Sequence, residues 1–241
     1  MRLAILSDIH ANWAALQAVW QDLEEQGVDS VYSLGDNVGY GPSPQEVVAF
    51  LDNHNVPSVQ GNHERGLTNP ASRAWFNPHA RQALEQTRAL MDPQWIRVLQ
   101  QYPLYRVVQG ARLVHGAPPD SAHTYLFEWD DGELPELFTR FSEALCFVGH
   151  THELMLVCLE SGHARRDVLW RGVFFLEAGT RYVVNVGSVG QPRDGDNRAK
   201  YVIWDTEQAS LEVRFVAYDI QDTVDRIEAC GLPRANATRL W

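Results

Sequence analysis

Five short clusters of metal-ligating and acid–base residues fall within residues 8 to 152: Asp8-Ile9-His10, Gly35-Asp36-Asn37, Gly61-Asn62-His63-Glu64, His115-Gly116 and Gly149-His150-Thr151-His152. Carboxylate oxygens, imidazole nitrogens and carboxamide oxygens are the donors that divalent metal ions take from proteins. Asp8 and His10 are two residues apart, so in an extended segment they point the same way, and so do His150 and His152. Glycines at 35, 61, 116 and 149 permit sharp turns where the backbone crowds a site. Ions held there would neutralise the oxygens of an anionic substrate and lower the pKa of a bound water toward neutrality, which is the chemistry of hydrolysis.

Taken singly, each cluster has an ordinary reading. Asp8-Ile9-His10 could be a turn or a helix cap, Gly35-Asp36 a turn, and His115 a core or surface histidine. In Gly61-Asn62-His63-Glu64, Asn62 could cap a helix, with Glu64 near its positive end. The argument rests on the conjunction, because each cluster directly follows a strand-like apolar run. In an α/β sheet the crevice beyond the carboxyl ends of the strands is where ligands bind. Five strand ends delivering such side chains imply one shared site.

The elements that must position these residues follow from periodicity and punctuation. Residues 2 to 6 predict a buried strand, and Asn12 to Glu25 a helix with apolar residues at 13, 16, 19, 20 and 23, stopped by Gly27. Val28 to Leu34 predicts a second strand, Pro44 to Asn53 a second helix and Val56 to Val59 a third strand. This βαβαβ start implies an α/β fold with parallel pairing. Asn77-Pro78 opens a helix to about Met91, and Asp92-Pro93 another ending near Tyr102-Pro103. Leu104 to Val108 and Ala111 to Val114 flank a Gln-Gly hairpin turn. Further strands are predicted at 144–148, 154–159, 173–176, 182–186, 201–204 and 211–218, before a helix capped by Asp219 and running to Cys230. Residues 118–143 and 160–172 are irregular and polar, and both are predicted to be loops covering the site. No composition shift marks a boundary, so residues 1–241 read as a single domain.

The chain has 241 residues, 45% of them apolar, enough to bury a sizeable core. Its formal charge of -11 disfavours non-specific nucleic-acid binding, which needs a basic footprint. Three cysteines without CxxC spacing predict buried thiols in a reducing compartment. No secretory leader and no run of ~18 apolar residues is evident, which predicts a cytoplasmic protein without a membrane span. No Gly-Lys-Ser/Thr follows the glycines at 35 to 41, so there is no P-loop, and no Gly-x-Ser-x-Gly elbow offers a serine nucleophile.

The ordered set Asp8-x-His10, Gly35-Asp36, Gly61-Asn62-His63-Glu64, His115 and Gly149-His150-Thr151-His152 resembles the calcineurin-like metallophosphoesterase superfamily. Asn185-Val186-Gly187-Ser188-Val189-Gly190-Gln191-Pro192-Arg193 resembles the N-x-G-S-x-G-x-P-R pattern of its small bacterial and archaeal phosphodiesterase-like branch, and the segment from Gly35 to Pro42 narrows the likeness further. The resemblance implies two mixed β-sheets packed as a sandwich and flanked by helices. It implies two divalent ions per chain, one held by Asp8, His10 and His152, the other by Asn62, His115 and His150, with Asp36 bridging both. In that pattern His63 is not a ligand but sits by the substrate phosphate and the leaving-group oxygen.

The expectation is a dinuclear phosphoesterase acting on small organic phosphates, phosphodiester or nucleotide type first, by attack of a metal-bridging hydroxide. Mixed N/O ligation suits manganese, iron, zinc, cobalt or nickel. His63 would supply the leaving group with a proton, and Arg193 would clamp a phosphate oxygen unless it is a solvated surface arginine. Trp75, Phe76, Tyr125, Phe127 and Trp129, in the segments 65–103 and 118–143, either stack on a nucleobase or pack these segments onto the core. Two other readings of the same fold are a non-catalytic interaction scaffold, as in the retromer subunit that resembles this superfamily but lacks the catalytic histidine, and a protein Ser/Thr phosphatase. The presence of His63 beside a complete ligand set favours the enzyme. Oligomeric state is left open.

Overall fold

The computed structural model describes residues 1–241, apart from the side chain of His79. Strand β1 (Arg2–Leu6) is apolar on every residue after the first because both of its faces are covered. Leu3 and Ile5 face the interior between two sheets, while Ala4 and Leu6 face helices, as the two-residue strand period requires. Helix α1 (Trp13–Gln26) begins where Asn12 Oδ1 accepts from the backbone N–H of Ala15, at 3.1 Å, and ends at Gly27 in the left-handed conformation. It lays Leu16 and Val19 on the outer face of β1, beside Val47 and Leu51 of α2 (Pro44–Asn53).

The first sheet has five strands. β1 lies between β2 (Ser30–Ser33), which is parallel to it, and β10 (Ala199–Asp205), which is antiparallel with Leu3 opposite Trp204. β11 (Ser210–Val216) and then β8 (Gly172–Phe175) complete it. The second sheet has six strands in the order β3 (Tyr105–Val108), β4 (Ala111–Val114), β5 (Leu145–Val148), β9 (Arg181–Val186), β6 (Leu154–Glu160) and β7 (His163–Asp167). The faces of the two sheets bury Leu3, Ile5, Val202 and Trp204 against Leu113, Phe147, Val184 and Val186. The molecule is therefore an α/β sandwich of two mixed sheets flanked by helices, as the resemblance implies.

The segment from 65 to 103 folds as helices: the end of α3 (Asn62–Thr68), a 3-10 turn at Pro70–Trp75, α4 (Pro78–Ala89) and α5 (Pro93–Gln100). Leu67, Phe76, Leu84 and Leu99 form its own apolar cluster on Val38 and Val48. Residues 118–143 carry a 3-10 turn at Leu126–Glu128 and α6 (Leu134–Leu137), and Leu126, Leu134 and Phe138 pack on Val114, Cys146 and Val148. The C-terminal pair α7 (Ile220–Ala229) and α8 (Arg234–Thr238) clusters around Ile227, Leu232 and Leu240.

Several expectations need correction. Residues 160–172 hold strand β7, whose alternating half-buried and exposed residues form the outer edge of the second sheet rather than a loop over the site. Residues 56–59 make only one bridge, Ser33 with Ser58, because Pro57 has no N–H to give a ladder. The parallel start does not continue, since the second neighbour of β1 is the antiparallel β10. Cys146 and Cys158 are buried, but Cys230 is exposed at the end of α7. Helix α8 was not expected at all.

Candidate metal centre

The five clusters converge. Asp8 and His10 follow β1, Asp36 follows β2, His115 follows β4, and His150 and His152 follow β5, all at the carboxyl ends of their strands. Asn62 and His63 open α3, with Gly61 rather than Asn62 at its N-cap. Asp8, His10, Asp36, His150 and His152 all have φ between 48° and 69°. Non-glycine residues rarely adopt this region, and they persist there only where the surroundings over-determine it. Here the turns clip one another. The N–H of Asp8 donates to the carbonyl of Gly35 at 3.0 Å, His10 to Asp36 at 2.9 Å, and Gly149 to His115 at 2.8 Å. Gly149 is needed for the close approach: a Cβ there would lie 1.9 Å from Ser7 Oγ and 2.5 Å from Asp8 Oδ2.

Each imidazole is oriented by a carbonyl, which can only accept. Nδ1 of His10 donates to Val38 O (3.1 Å), Nδ1 of His152 to Gln191 O (2.5 Å), Nδ1 of His115 to Leu34 O (2.9 Å), and Nε2 of His150 to His123 O (3.1 Å). This assignment leaves the opposite ring nitrogens of His10, His150 and His152 aimed inward as lone-pair donors, and aims Nε2 of His115 inward as well. In one group, Nε2 of His10 and Nε2 of His152 are 3.0 Å apart, with Asp8 Oδ1 3.2 Å from the latter. That Asp8 oxygen is buried without a hydrogen-bond partner. In the other group, Nε2 of His115 lies 3.1 Å from His150 Nδ1, 3.2 Å from Asn62 Oδ1 and 3.3 Å from Asp36 Oδ2. Asp36 Oδ2 also lies 3.9 Å from His10 Nε2, so this carboxylate stands between the two groups.

Buried lone pairs facing one another, with carboxylates among them, fit cations and little else. Three sets, Asp8-His10-His152, His10-Asp36-His63 and Asp36-His115-His150, have ligand atoms within 4.8 Å of one another. Burial and the neighbouring imidazoles hold His10 well below its usual range, and His150 down to about 3. Both are then neutral and ready to donate electrons. Burial alone would also lower His115, but the charge and hydrogen bond of Asp36, together with Asp8 and Glu64, raise it to about 9.

His63 is brought to the same place, its ring centroid 4.9 Å from that of His10 and 4.6 Å from that of Tyr40, with Phe76 edge-on beneath it at 5.3 Å. Its N–H donates to Asp36 Oδ1 at 2.8 Å, and its buried Nδ1 has no partner. Burial lowers it to about 4 despite the Asp36 carboxylate, so the imidazole is neutral at pH 7. Arg193 is exposed beside the site. Its Nη2 donates to Gln191 Oε1 at 3.0 Å and its backbone N–H to His152 O at 3.3 Å.

The segment Asn185–Arg193 turns out to be largely scaffold for this site. Asn185 Nδ2 donates to Gly149 O and Thr151 Oγ1 at 2.7 and 2.8 Å, and Ser188 Oγ donates to Asp8 O at 2.8 Å. Residues 118–143 do cover the site: besides the His123 carbonyl, the Tyr125 ring stacks on His150 with centroids 3.9 Å apart. Sequence reasoning missed Glu64. Its buried carboxylate accepts from the N–H groups of Asp36 (2.8 Å), Asn37 (2.7 Å) and Gly61 (2.8 Å), joining the second and third clusters. Its spacing three residues after Gly61 is the capping-box signal that could have shown this. Tyr40 as a neighbour of His63, and the contact of the C-terminal helices with the site, were also missed. Thr223 Oγ1 donates to Asn12 Oδ1 at 2.9 Å, and Asn236 Nδ2 to Tyr40 O at 2.8 Å.

A mixed two-sheet sandwich with His, Asp and Asn donors gathered at its strand ends is the architecture of a metallophosphoesterase. Residues 1–209 match the calcineurin-like phosphoesterase superfamily domain, and the chain belongs to this family. It is 33% identical over 243 residues to the uncharacterized protein MJ0912 of Methanocaldococcus jannaschii, covering 99% of this chain and 97% of that one. It superposes on the crystal structure of a metallophosphoesterase from Sphaerobacter thermophilus with a TM-score of 0.87 and 36% identity, over 100% of this chain and 98% of the other. The hypothetical protein PH1004 from Pyrococcus horikoshii shares the fold, with a TM-score of 0.81 and 20% identity over 100% and 97% of the two chains. Among the described residues no helix is long and apolar enough to cross a membrane.

Proposed function

We propose that residues 1–241 act as one dinuclear, metal-dependent phosphoesterase on small organic phosphates, diesters or nucleotide-type esters first. The observation that carries this reading is the position of Asp36 Oδ2, 3.3 Å from His115 and 3.9 Å from His10, between two separate donor groups. Asp8, His10 and His152 would hold one ion, and Asn62, His115 and His150 the second, with Asp36 shared. Manganese, iron, zinc, cobalt and nickel suit this N/O donor set. When bound, the pair supplies Lewis acidity toward the phosphate and acidifies a water for in-line attack.

The chain's own residues do the rest. His63 faces the site with a free Nδ1 and, being neutral when the site holds no substrate, becomes a proton donor once the substrate's negative charge is beside it. Arg193 offers a guanidinium to a phosphate oxygen at the Tyr40 side. Tyr40 and Phe76 hold the His63 ring and exclude water from it. The three unpaired cysteines fit a reducing, cytoplasmic setting.

Several other basic groups near the site are already engaged. Arg198 is paired with Asp196 at 2.5 Å, Lys200 with Asp194 at 2.8 Å, and Arg73 donates to Gly66 O at 2.9 Å. This favours a small ester over a polyanion. The test is a screen of the metal-reconstituted protein at low salt. Bis(p-nitrophenyl) phosphate should be hydrolysed and duplex DNA weakly or not at all. Turnover of DNA faster than of any small ester would overturn the substrate class, and failure to bind more than trace manganese or zinc would overturn the reading itself.

A further inference from the structure

A cavity of about 400 Å³ opens beside the metal centre, with Asn62 and His150 in its wall. That volume lies in the ~300–1,000 Å³ range of small-organic sites. It is built where the two helical segments meet: Trp75, from the 3-10 turn at Pro70–Trp75, stacks on His123 of the 118–143 segment with centroids 5.7 Å apart and planes 17° from parallel. Trp75 is 78% exposed although it is held in this stack, so most of the indole is left uncovered beside the cavity. Tyr125, by contrast, is sandwiched between His150 and Phe127 at 3.9 and 4.7 Å, and its faces are used. The remaining wall is polar. Among the described residues lining the cavity there is no lysine or arginine, and Glu128 is the one carboxylate.

Building on the phosphoesterase reading, we infer that this cavity is a nucleoside pocket, that the base stacks on the free surface of Trp75, and that the substrates are phosphate esters of nucleosides. A flat indole presents a large, sequence-tolerant surface to any base. Glu128, with Ser121 and Thr124 beside it, suits the hydroxyls of a ribose and the amino or imino N–H groups of a base, which are neutral hydrogen-bond donors. The same carboxylate disfavours a second phosphate at its end of the pocket. The pocket therefore selects the organic half of the ester, while Arg193 and the metal centre take the single phosphate.

The test uses the full chain loaded with manganese and three esters sharing one reporter: thymidine 5′-(p-nitrophenyl phosphate), methyl p-nitrophenyl phosphate and p-nitrophenyl phosphocholine. The expected kcat/KM for the thymidine ester exceeds that for the methyl ester by about tenfold or more. In Trp75→Ala this ratio falls by about tenfold through KM, and Trp75→Phe restores most of it. A ratio near one in the wild type, a preference for the phosphocholine ester, or an equal loss on all three esters in Trp75→Ala overturns the inference and leaves the phosphoesterase reading standing. If no ester is turned over, the phosphoesterase reading fails, and equilibrium dialysis of thymidine decides the pocket. Binding that is lost in Trp75→Ala supports it, and no binding overturns it.

Discussion

Nε2 of His115 lies 3.3 Å from Oδ2 of Asp36, and both side chains are buried. This contact raises His115 to about 9 against its own burial, and holds Asp36 well below the usual carboxylate range. A proton on His115 thus occupies the place of a cation among the donors of the second group. Because the folded-state pKa lies above the ordinary 6.5, the stabilisation is fully present below pH 6.5 and is lost as pH rises through about 9. Chelator-treated protein should therefore melt at progressively lower temperature from pH 6.5 to 9, while manganese-loaded protein should not. Loading near pH 7.5 should release a proton, measurable in a weakly buffered titration. Parallel melting curves for the two forms would sink this account.

Asp36→Asn should be the most damaging ligand substitution, because it weakens the one carboxylate that faces both groups. Metal content should fall from two ions toward one or none, and affinity by more than about 100-fold. Asp8→Asn should affect one ion only. Elemental analysis after dialysis against graded chelator separates the two variants.

His63→Ala should keep metal occupancy near wild type and lower turnover by roughly 10²–10⁴-fold. The loss should shrink for esters with nitrophenol leaving groups, which need less protonation. Gly39→Ala should mimic it by displacing the His63 ring while leaving residue 63 unsubstituted, since a Cβ there would lie 2.0 Å from His63 Nδ1, at a backbone φ of +88°. Metal lost together with activity in His63→Ala would show that His63 is a ligand.

Glu64→Gln is nearly isosteric, yet it sets an NH₂ against backbone N–H groups that now meet a carboxylate oxygen. The cost of leaving such donors unsatisfied is about 1–3 kcal/mol. Thermal melts should register it, and metal affinity should fall with it, because the turns carrying Asp36 and Asn62 are fastened through this group. A melting temperature equal to wild type would refute the role.

Much of the site was legible because each ligand cluster directly follows an apolar run, and such runs become strands whatever their partners. The β3–β4 hairpin was legible too, but the ladder of the first sheet beyond β1–β2 was not. The pairing of Leu3 with Trp204 joins residues far apart in sequence, and no local pattern encodes it. Strand β7 was missed because His163–Asp167 lies on an edge and shows no apolar face. The left-handed backbone of Asp8, His10, Asp36, His150 and His152 was invisible for a different reason. Asp and His visit that conformation more often than most side chains but do not announce it as glycine does, and here hydrogen bonds between the turns impose it. The role of Glu64 was not legible because its backbone partners Asp36 and Asn37 lie on another segment.

The antiparallel partner of β1 is β10, which begins at Ala199. On the ribosome, β1 and its parallel partner β2 are both made early, but the other edge of β1 stays bare until most of the chain has been made. At ~5–20 residues per second that interval is roughly 10–40 s. During it, Asp8, His10 and Asp36 are already outside while His150 and His152 emerge only late, so the nascent chain presents half of the candidate donor set beside an open strand edge. Protection of that edge from other chains therefore matters most during synthesis, before the second half of the donor set has closed over the first.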